Sequence, residues 1–178
     1  MILVCAHLAN AADIGDVSYG GNGCPDGTVA SSTSQSRTTI SIKLNEMETL
    51  TGDQTGAAIA RKACAISVPI EIPAGKTLES VQATYEGNAI VAEDAVVKFQ
   101  SEHFVSGGKG KVNKITLEAN EGSAFRIIQN SRIQSGCGQG ILFRANFSLL
   151  NQATANSSLS AGVIDRAKFK LNFADCGN

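Results

Sequence analysis

Cys64-Ala65-Ile66-Ser67-Val68-Pro69-Ile70-Glu71-Ile72 decides how this chain folds. Cys64, Ile66, Val68, Ile70 and Ile72 fall on one face, and Ala65, Ser67, Pro69 and Glu71 on the other. That period of two belongs to a strand with one apolar side. Pro69 has no N–H to give to a ladder, so the strand is expected at a sheet edge or with a bulge there. Pro73-Ala74-Gly75-Lys76 then turns the chain.

The alternation recurs on both sides of this stretch. Over 38–44, Ile40, Ile42 and Leu44 alternate with Thr39, Ser41 and Lys43. Val81, Ala83, Tyr85, Gly87, Ala89 and Val91 form another apolar row, and further strands are expected over about 94–104, 112–118 and 124–128. Ile141, Phe143, Ala145, Phe147 and Leu149 alternate with Arg144, Asn146 and Ser148; Phe169, Leu171 and Phe173 alternate with Lys168, Lys170 and Asn172. Residues 53–63 contain Gly56 and read as a single turn or ordered loop, 13–37 as largely irregular, and 151–162 as a polar loop. One wet face per sheet implies antiparallel pairing, and two such sheets bury their apolar faces against each other. The expectation is therefore all-β: an antiparallel β-sandwich of about 8–9 strands, stapled by disulfides.

The N-terminus carries an apolar run closed by Ala9-Asn10-Ala11, the pattern that signal peptidase cuts. Residues 1–11 read as the remnant of a signal peptide and 12–178 as a single secreted β-sandwich domain. Cys5 leaves with the leader, and Cys24, Cys64, Cys137 and Cys176 remain. An even set in an exported chain reads as disulfides, placing the protein outside the cell or in a periplasm. Four cysteines allow three connectivities. Cys24–Cys64 and Cys137–Cys176 are favoured, because each pair brackets one half and pins an irregular segment to a strand end. No second apolar run reaches the roughly 20 residues of a membrane helix.

Composition removes several function classes. Net charge is −1, and Lys and Arg are scattered rather than gathered into the stripe that nucleic acid requires. Only 17% of residues are charged, which suits a polar β surface better than a helical bundle. No C-x-x-C spacing occurs and His103 is the only histidine after residue 11, so no zinc site is expected. The Asp13/Asp16 and Glu93/Asp94 loops lack the D-x-D-x-D-G spacing of a calcium loop. Gly107-Gly108-Lys109-Gly110-Lys111 is followed by Val112 and a strand, not by the Ser/Thr and helix of a phosphate-binding loop. It reads as a mobile hairpin loop, and no cofactor is expected.

Catalytic residues are equally sparse, and the chain reads as non-enzymatic with no catalytic site. His103 reads as a surface histidine beside Ser106-Gly107-Gly108, and no G-x-S-x-G elbow is present. Glu93 and Asp94 are sequence neighbours and would point apart on a strand, while Glu71, Glu86 and Glu118 fall on outward faces. Tyr85 alternates with apolar residues and reads as core; Tyr19, among Gly20, Gly21 and Gly23, is the candidate binding contact. Tryptophan is absent, so aromatic platforms for sugar rings are scarce. Asn146-Phe147-Ser148 and Asn156-Ser157-Ser158 are glycosylation sequons, with Asn156 the better exposed.

One arrangement is family-like. Gly23-Cys24-Pro25-Asp26-Gly27-Thr28-Val29 precedes a strand, then Arg61-Lys62-Ala63-Cys64 opens another that closes on Ile72-Pro73-Ala74-Gly75. Tyr85-Glu86-Gly87, Cys137-Gly138 and Phe169-Leu171-Phe173 before Cys176 continue the order. The chain resembles the DUF4360 family of secreted cysteine-containing proteins. The resemblance implies secretion and a β-rich fold, and no known activity or site. The reading that follows is a secreted, non-catalytic structural or surface- or ligand-binding domain whose partner is a surface, a polysaccharide or a protein. An alternative is a subunit of an extracellular fibre, self-assembled by donating residues 12–37 as a strand. A second is a small secreted hydrolase, which needs His103 and two carboxylates in one cleft.

Overall fold

A computed structural model describes residues 11–118, 120–154 and 156–177, with only the backbone described at 120 and 121. The leader reading, including Cys5, lies outside the described residues save for Ala11. Twelve strands are present: β1 Asp13–Ile14, β2 Ser18–Gly20, β3 Val29–Thr33, β4 Thr39–Leu44, β5 Glu48–Thr51, β6 Ile59–Glu71, β7 Lys76–Val91, β8 Val96–Val105, β9 Asn113–Leu117, β10 Asn120–Arg132, β11 Gly140–Gln152 and β12 Ser160–Asp175. No helix occurs among the described residues.

Two antiparallel sheets form a sandwich. The first runs β6-β11-β8-β9, with β1 and β2 in succession along the other side of β6. The second runs β10-β7-β12-β4-β3, and β5 pairs with β12 beyond β4. The class is all-β as expected, but the strand count is 12 rather than 8–9. The extra strands are β1, β2, β3 and β5, each two to five residues long. Most of their side chains are wet, so they carry little apolar alternation; β3 is exposed at four of its five positions.

Pro69 sits where the expectation needed a gap. It pairs with Leu142 of β11 on one side. On its other side β1 has ended at Ile14 and β2 has not begun, and the Gly15 N–H donates to the Pro69 carbonyl at 2.9 Å. The missing proline N–H falls in the break between the two short strands.

The inward rows meet in one core. Cys64, Ile66 and Val68 from β6 face Phe147, Ala145 and Phe143 from β11 across the ladder, and Phe99 on β8 faces Leu149 of β11. Val81, Ala83 and Tyr85 with Ala167, Phe169 and Leu171 supply the facing side. Tyr85 centres an aromatic group, with ring centroids 4.7 Å from Phe99 and 5.2 Å from Phe147, within the range of favourable tilted pairs.

Cys24 is bonded to Cys64 and Cys137 to Cys176, with Cα separations of 5.4 and 5.8 Å. The first bridge is buried and fastens the segment after β2 to the inward face of β6. The second is solvent-facing at Cys137 and ties the segment after β10 to the end of β12.

One polar knot is wholly internal. Asn151, 0% exposed, donates to the Ser160 carbonyl at 2.9 Å and accepts from the Thr51 hydroxyl at 2.9 Å. It joins β11, β12 and β5. Asn151→Ala orphans both partners and is expected to cost about 1–3 kcal/mol per unsatisfied group, read as a lower urea midpoint with an unchanged m-value.

Candidate functional site

Antiparallel register lays the outward side chains of the first sheet in cross-strand rows. One row is Gly20, Ala65, Asn146 and Glu102; the next is Ala63, Ser148, Gln100 and Lys114. The positions near β2 are therefore minute, and those on β8 are long and polar. The result is a depression of about 280 Å³ on the outer face, floored by Gly20, Gly21, Ala63 and Ala65 and bordered by Arg61, Gln100, Glu102 and Asn146. Its border offers amide donors and acceptors, one cation and one carboxylate, all able to bond hydroxyl groups.

The rim at β2 is built by a segment that the sequence reading left irregular. Past Gly20 the β6 edge would lose its ladder partner, and the Asn22 side chain takes its place. Its amide donates to the Arg61 carbonyl at 2.9 Å, and its oxygen accepts from the Ala63 N–H at 2.7 Å. The close approach needs Gly21, whose φ is 131° and whose Cβ would stand 2.2 Å from the Ala63 carbonyl oxygen. Cys24 then locks the turn onto Cys64. The G-G-N-G-C run was the available signal: three glycines around an asparagine and a bridged cysteine mark a tight backbone approach.

The residues singled out in the sequence are dispersed. Tyr19 is half-buried against the core, and its hydroxyl accepts from the Gly27 N–H at 3.2 Å, so the ring braces the β2 segment from below. Glu93 and Asp94 are exposed in the β7–β8 turn, where Asp94 accepts from the Thr154 hydroxyl at 2.6 Å. Asp13 pairs with Arg37. Glu71 and Glu118 are exposed, whereas Glu86 lies between Arg126 and Arg166, 3.5 Å from each. Residues 107–111 lie in the connection between the antiparallel partners β8 and β9, a hairpin loop. Asn156 is exposed, and Asn146 is half-buried in the depression. Among the described residues no three metal-capable side chains come together.

His103 corrects the reading of a surface histidine. It is 2% exposed. Val97, Phe99, Ser101 and His103 share one parity on β8, and that parity points inward; side-chain polarity had suggested the opposite. The Tyr85 hydroxyl is 2.7 Å from Nε2, and the Ser131 hydroxyl is 2.9 Å from Nδ1. Both ring nitrogens are thus engaged between the sheets, and burial lowers the imidazole pKa to about 4. Burial likewise pushes the Tyr85 phenol far up, only partly offset by the neighbouring Ser101 hydroxyl. In the neutral imidazole one ring nitrogen donates and the other accepts, and the Tyr85 and Ser131 hydroxyls can each take either role. Ser101 in turn donates to Gln129 Oε1, while Gln129 Nε2 has no partner among the described residues. The group is a structural tie between the sheets: the imidazole reaches no cleft, and Glu102 beside it faces the opposite side. Among the described residues His103 is buried between the sheets rather than placed with two carboxylates in a cleft, as the hydrolase reading required.

Residues 12–37, the donor segment of the fibre reading, are engaged within the chain. β1 and β2 pair with β6, and β3 pairs with β4. No helix among the described residues is long and apolar enough to cross a membrane.

Comparison with known proteins adds the following. The model of a family described as a domain of unknown function, DUF4360, matches residues 10–176. An uncharacterized secreted protein of Arthroderma benhamiae is 24% identical over 167 residues, covering 88% of this chain and 65% of the relative. The chain thus spans just under two thirds of that relative's length. Among solved structures, a carbohydrate-binding module in complex with β-1,4-galactotriose is 13% identical, covering 86% of this chain and 88% of its own, with a TM-score of 0.34. A mannan-recognising carbohydrate-binding module is 7% identical, covering 90% and 98%, with a TM-score of 0.38. At those scores nothing about this chain's ligand follows from either. The protein is secreted, as its fungal relative is, and its two disulfides suit an oxidising compartment.

Proposed function

We propose that this chain, which belongs to the DUF4360 family, is a non-catalytic binding domain whose outer depression on the first sheet holds a neutral, hydroxyl-rich polymer such as a polysaccharide. The observation that carries the reading is the pairing of a floor of glycine and alanine with a border of Gln100, Asn146, Glu102 and Arg61. The floor lets a flat ring approach the sheet, and the amide and charged groups meet its hydroxyls in pairs. The border has no tryptophan or tyrosine to stack on a ring, so affinity rests on several hydrogen bonds. Each contributes about 0.5–1.5 kcal/mol net, more where a charged group takes part. Binding in the high micromolar to millimolar range per site is the expected outcome.

Gly20 gives a clean test. A Cβ there meets nothing within 4 Å, and its ladder position faces the depression beside Ala65. Gly20→Phe is expected to fill the depression while leaving the urea midpoint unchanged or raised, since phenylalanine suits a strand better than glycine. In affinity electrophoresis through gels containing soluble β-glucan, mannan or galactan, the parent protein is expected to be retarded by at least one, and Gly20→Phe and Gln100→Ala to run free. Absence of retardation in every gel, or equal retardation of parent and Gly20→Phe, rejects the reading.

A further inference from the structure

The outward rows of the second sheet carry a different chemistry. Arg126, Glu86, Arg166 and Lys43 align across β10, β7, β12 and β4. The next row holds Ile128, Thr84, Lys168 and Ser41, and the one after it Asn130, Gln82, Lys170 and Thr39. Arg132 follows at the end of β10. Cations that are scattered along the sequence are thus gathered by strand register: six of the chain's 15 Lys and Arg residues stand on one face. Of its 16 acidic residues only Glu86 lies within those rows; Asp165 and Glu79 occupy the bulges at the ends of the face, and Glu48 stands on the adjoining β5.

Four of the six cations are not spent on ion pairs among the described residues. Glu86 is shared by Arg126 and Arg166 at 3.5 Å each, and the two arginine side chains are 63% and 52% exposed. Lys43, Lys168, Lys170 and Arg132 make no ion pair among the described residues. Arg166, Lys168 and Lys170 stand at every second residue of β12, the middle strand of the sheet, so their stems rise in a line about 6.7 Å apart. Lys43 flanks that line one strand away, about 4.8 Å across.

We infer that this face docks an acidic polysaccharide, a polymer of regularly spaced carboxylates or sulfates laid along β12. The inference is independent of the depression, which lies on the other sheet. Charge complementarity selects a polyanion: a line of cations of which only Arg166 shares a carboxylate among the described residues is, in a protein of net charge −1, a local feature that attracts a local row of anions. Two other polyanions fit less well. Single-stranded nucleic acid binds through aromatic stacking platforms, and none of the residues in these rows is aromatic. A lipid surface favours apolar groups that enter it, and the rows offer only Ile128, 52% exposed. The protein's secreted location agrees with a glycan.

The test uses polygalacturonate and its fully methyl-esterified form, which keeps the sugar and removes the charge. The folded, oxidised protein is expected to bind polygalacturonate at 20 mM salt, to weaken steeply as salt rises, and to ignore the ester. The triple variant K43Q/K168Q/K170Q is expected to bind about tenfold or more weakly, with a shallower salt dependence. All three side chains are outward, so the variant's urea midpoint serves as the folding check. Gly20→Phe is expected to bind polygalacturonate like the parent, which separates this site from the depression. Equal binding of parent and triple variant, or equal binding of acid and ester, overturns the inference. Preference for oligo-dT or phosphatidylserine vesicles over polygalacturonate at equal charge overturns the glycan as occupant.

Discussion

Removing the Cys24–Cys64 bridge as Cys24→Ala/Cys64→Ala is expected to lower stability by about 4 kcal/mol from the 40-residue separation alone. Packing adds to that. Both cysteines are buried, 0% and 3% exposed, so the alanines leave a cavity in the core. Cys137→Ala/Cys176→Ala breaks a bridge of nearly equal separation, 39, and its first cysteine is exposed, so little packing is lost. Urea unfolding of the two variants is expected to rank the first as the more destabilised. Under graded reductant, Cys137–Cys176 is expected to open first because a thiolate can reach it. The first variant also releases the Gly20–Cys24 turn that forms one rim of the depression. It is therefore expected to lose glycan retardation at temperatures where it is still folded. Equal costs and equal reduction rates contradict this account of the two staples.

The second large effect is acid-linked. His103 has its pKa lowered from 6.5 to about 4, so it is neutral in the fold across most of the range where an unfolded chain would protonate it. Above pH 6.5 neither state carries the proton and stability is full. As pH falls from 6.5 toward 4 the unfolded state gains the proton first, and stability drops by about 1.4 kcal/mol per pH unit. Below about 4 both states are protonated and the loss levels off at about 3 kcal/mol. The groups bonded to the imidazole are the Tyr85 and Ser131 hydroxyls, and among the described residues no carboxylate is paired with it to hold the charge. His103→Gln keeps hydrogen-bonding capacity and cannot titrate. The difference in unfolding free energy between pH 7 and pH 4 is expected to be about 3 kcal/mol smaller in this variant than in the parent. Should the variant fold poorly, NMR of the His103 ring in the parent gives the same answer: it is expected to remain neutral at pH 5. A ring that titrates near 6.5, or identical pH dependence in the two proteins, contradicts the buried tie.

How much of this was legible in the sequence follows from where side chains point. The long central strands announced themselves: Ile66, Val68 and Ile70 alternate because one face of β6 is packed, and the same holds for β4, β7, β11 and β12. The edge strands did not, since β1, β2 and β3 pair by backbone alone and pack few of their side chains. His103 was misplaced for a related reason. Its parity with Val97 and Phe99 was visible, but an imidazole on the inward row is acceptable only when hydroxyls across the sandwich satisfy it, and Tyr85 and Ser131 are 18 and 28 residues away. The depression was hidden because it depends on register, which brings Ala63 and Ala65 beside Ser148 and Asn146, and these beside Gln100 and Glu102. The cationic face was hidden in the same way: Lys43, Arg126 and Arg166 are distant in sequence and become neighbours only through the ladders of β4, β7, β10 and β12.

The most direct test of the central claim is a titration of the isotope-labelled oxidised protein with soluble neutral oligosaccharides from β-glucan, mannan and galactan, followed by amide shifts in NMR. The account predicts that at least one of them moves the amides of Gly20, Ala65, Gln100, Glu102 and Asn146 together, on one binding curve, and leaves those of Lys168 and Lys170 in place. Shifts confined to another face, or none at millimolar ligand with all three glycans, would contradict it.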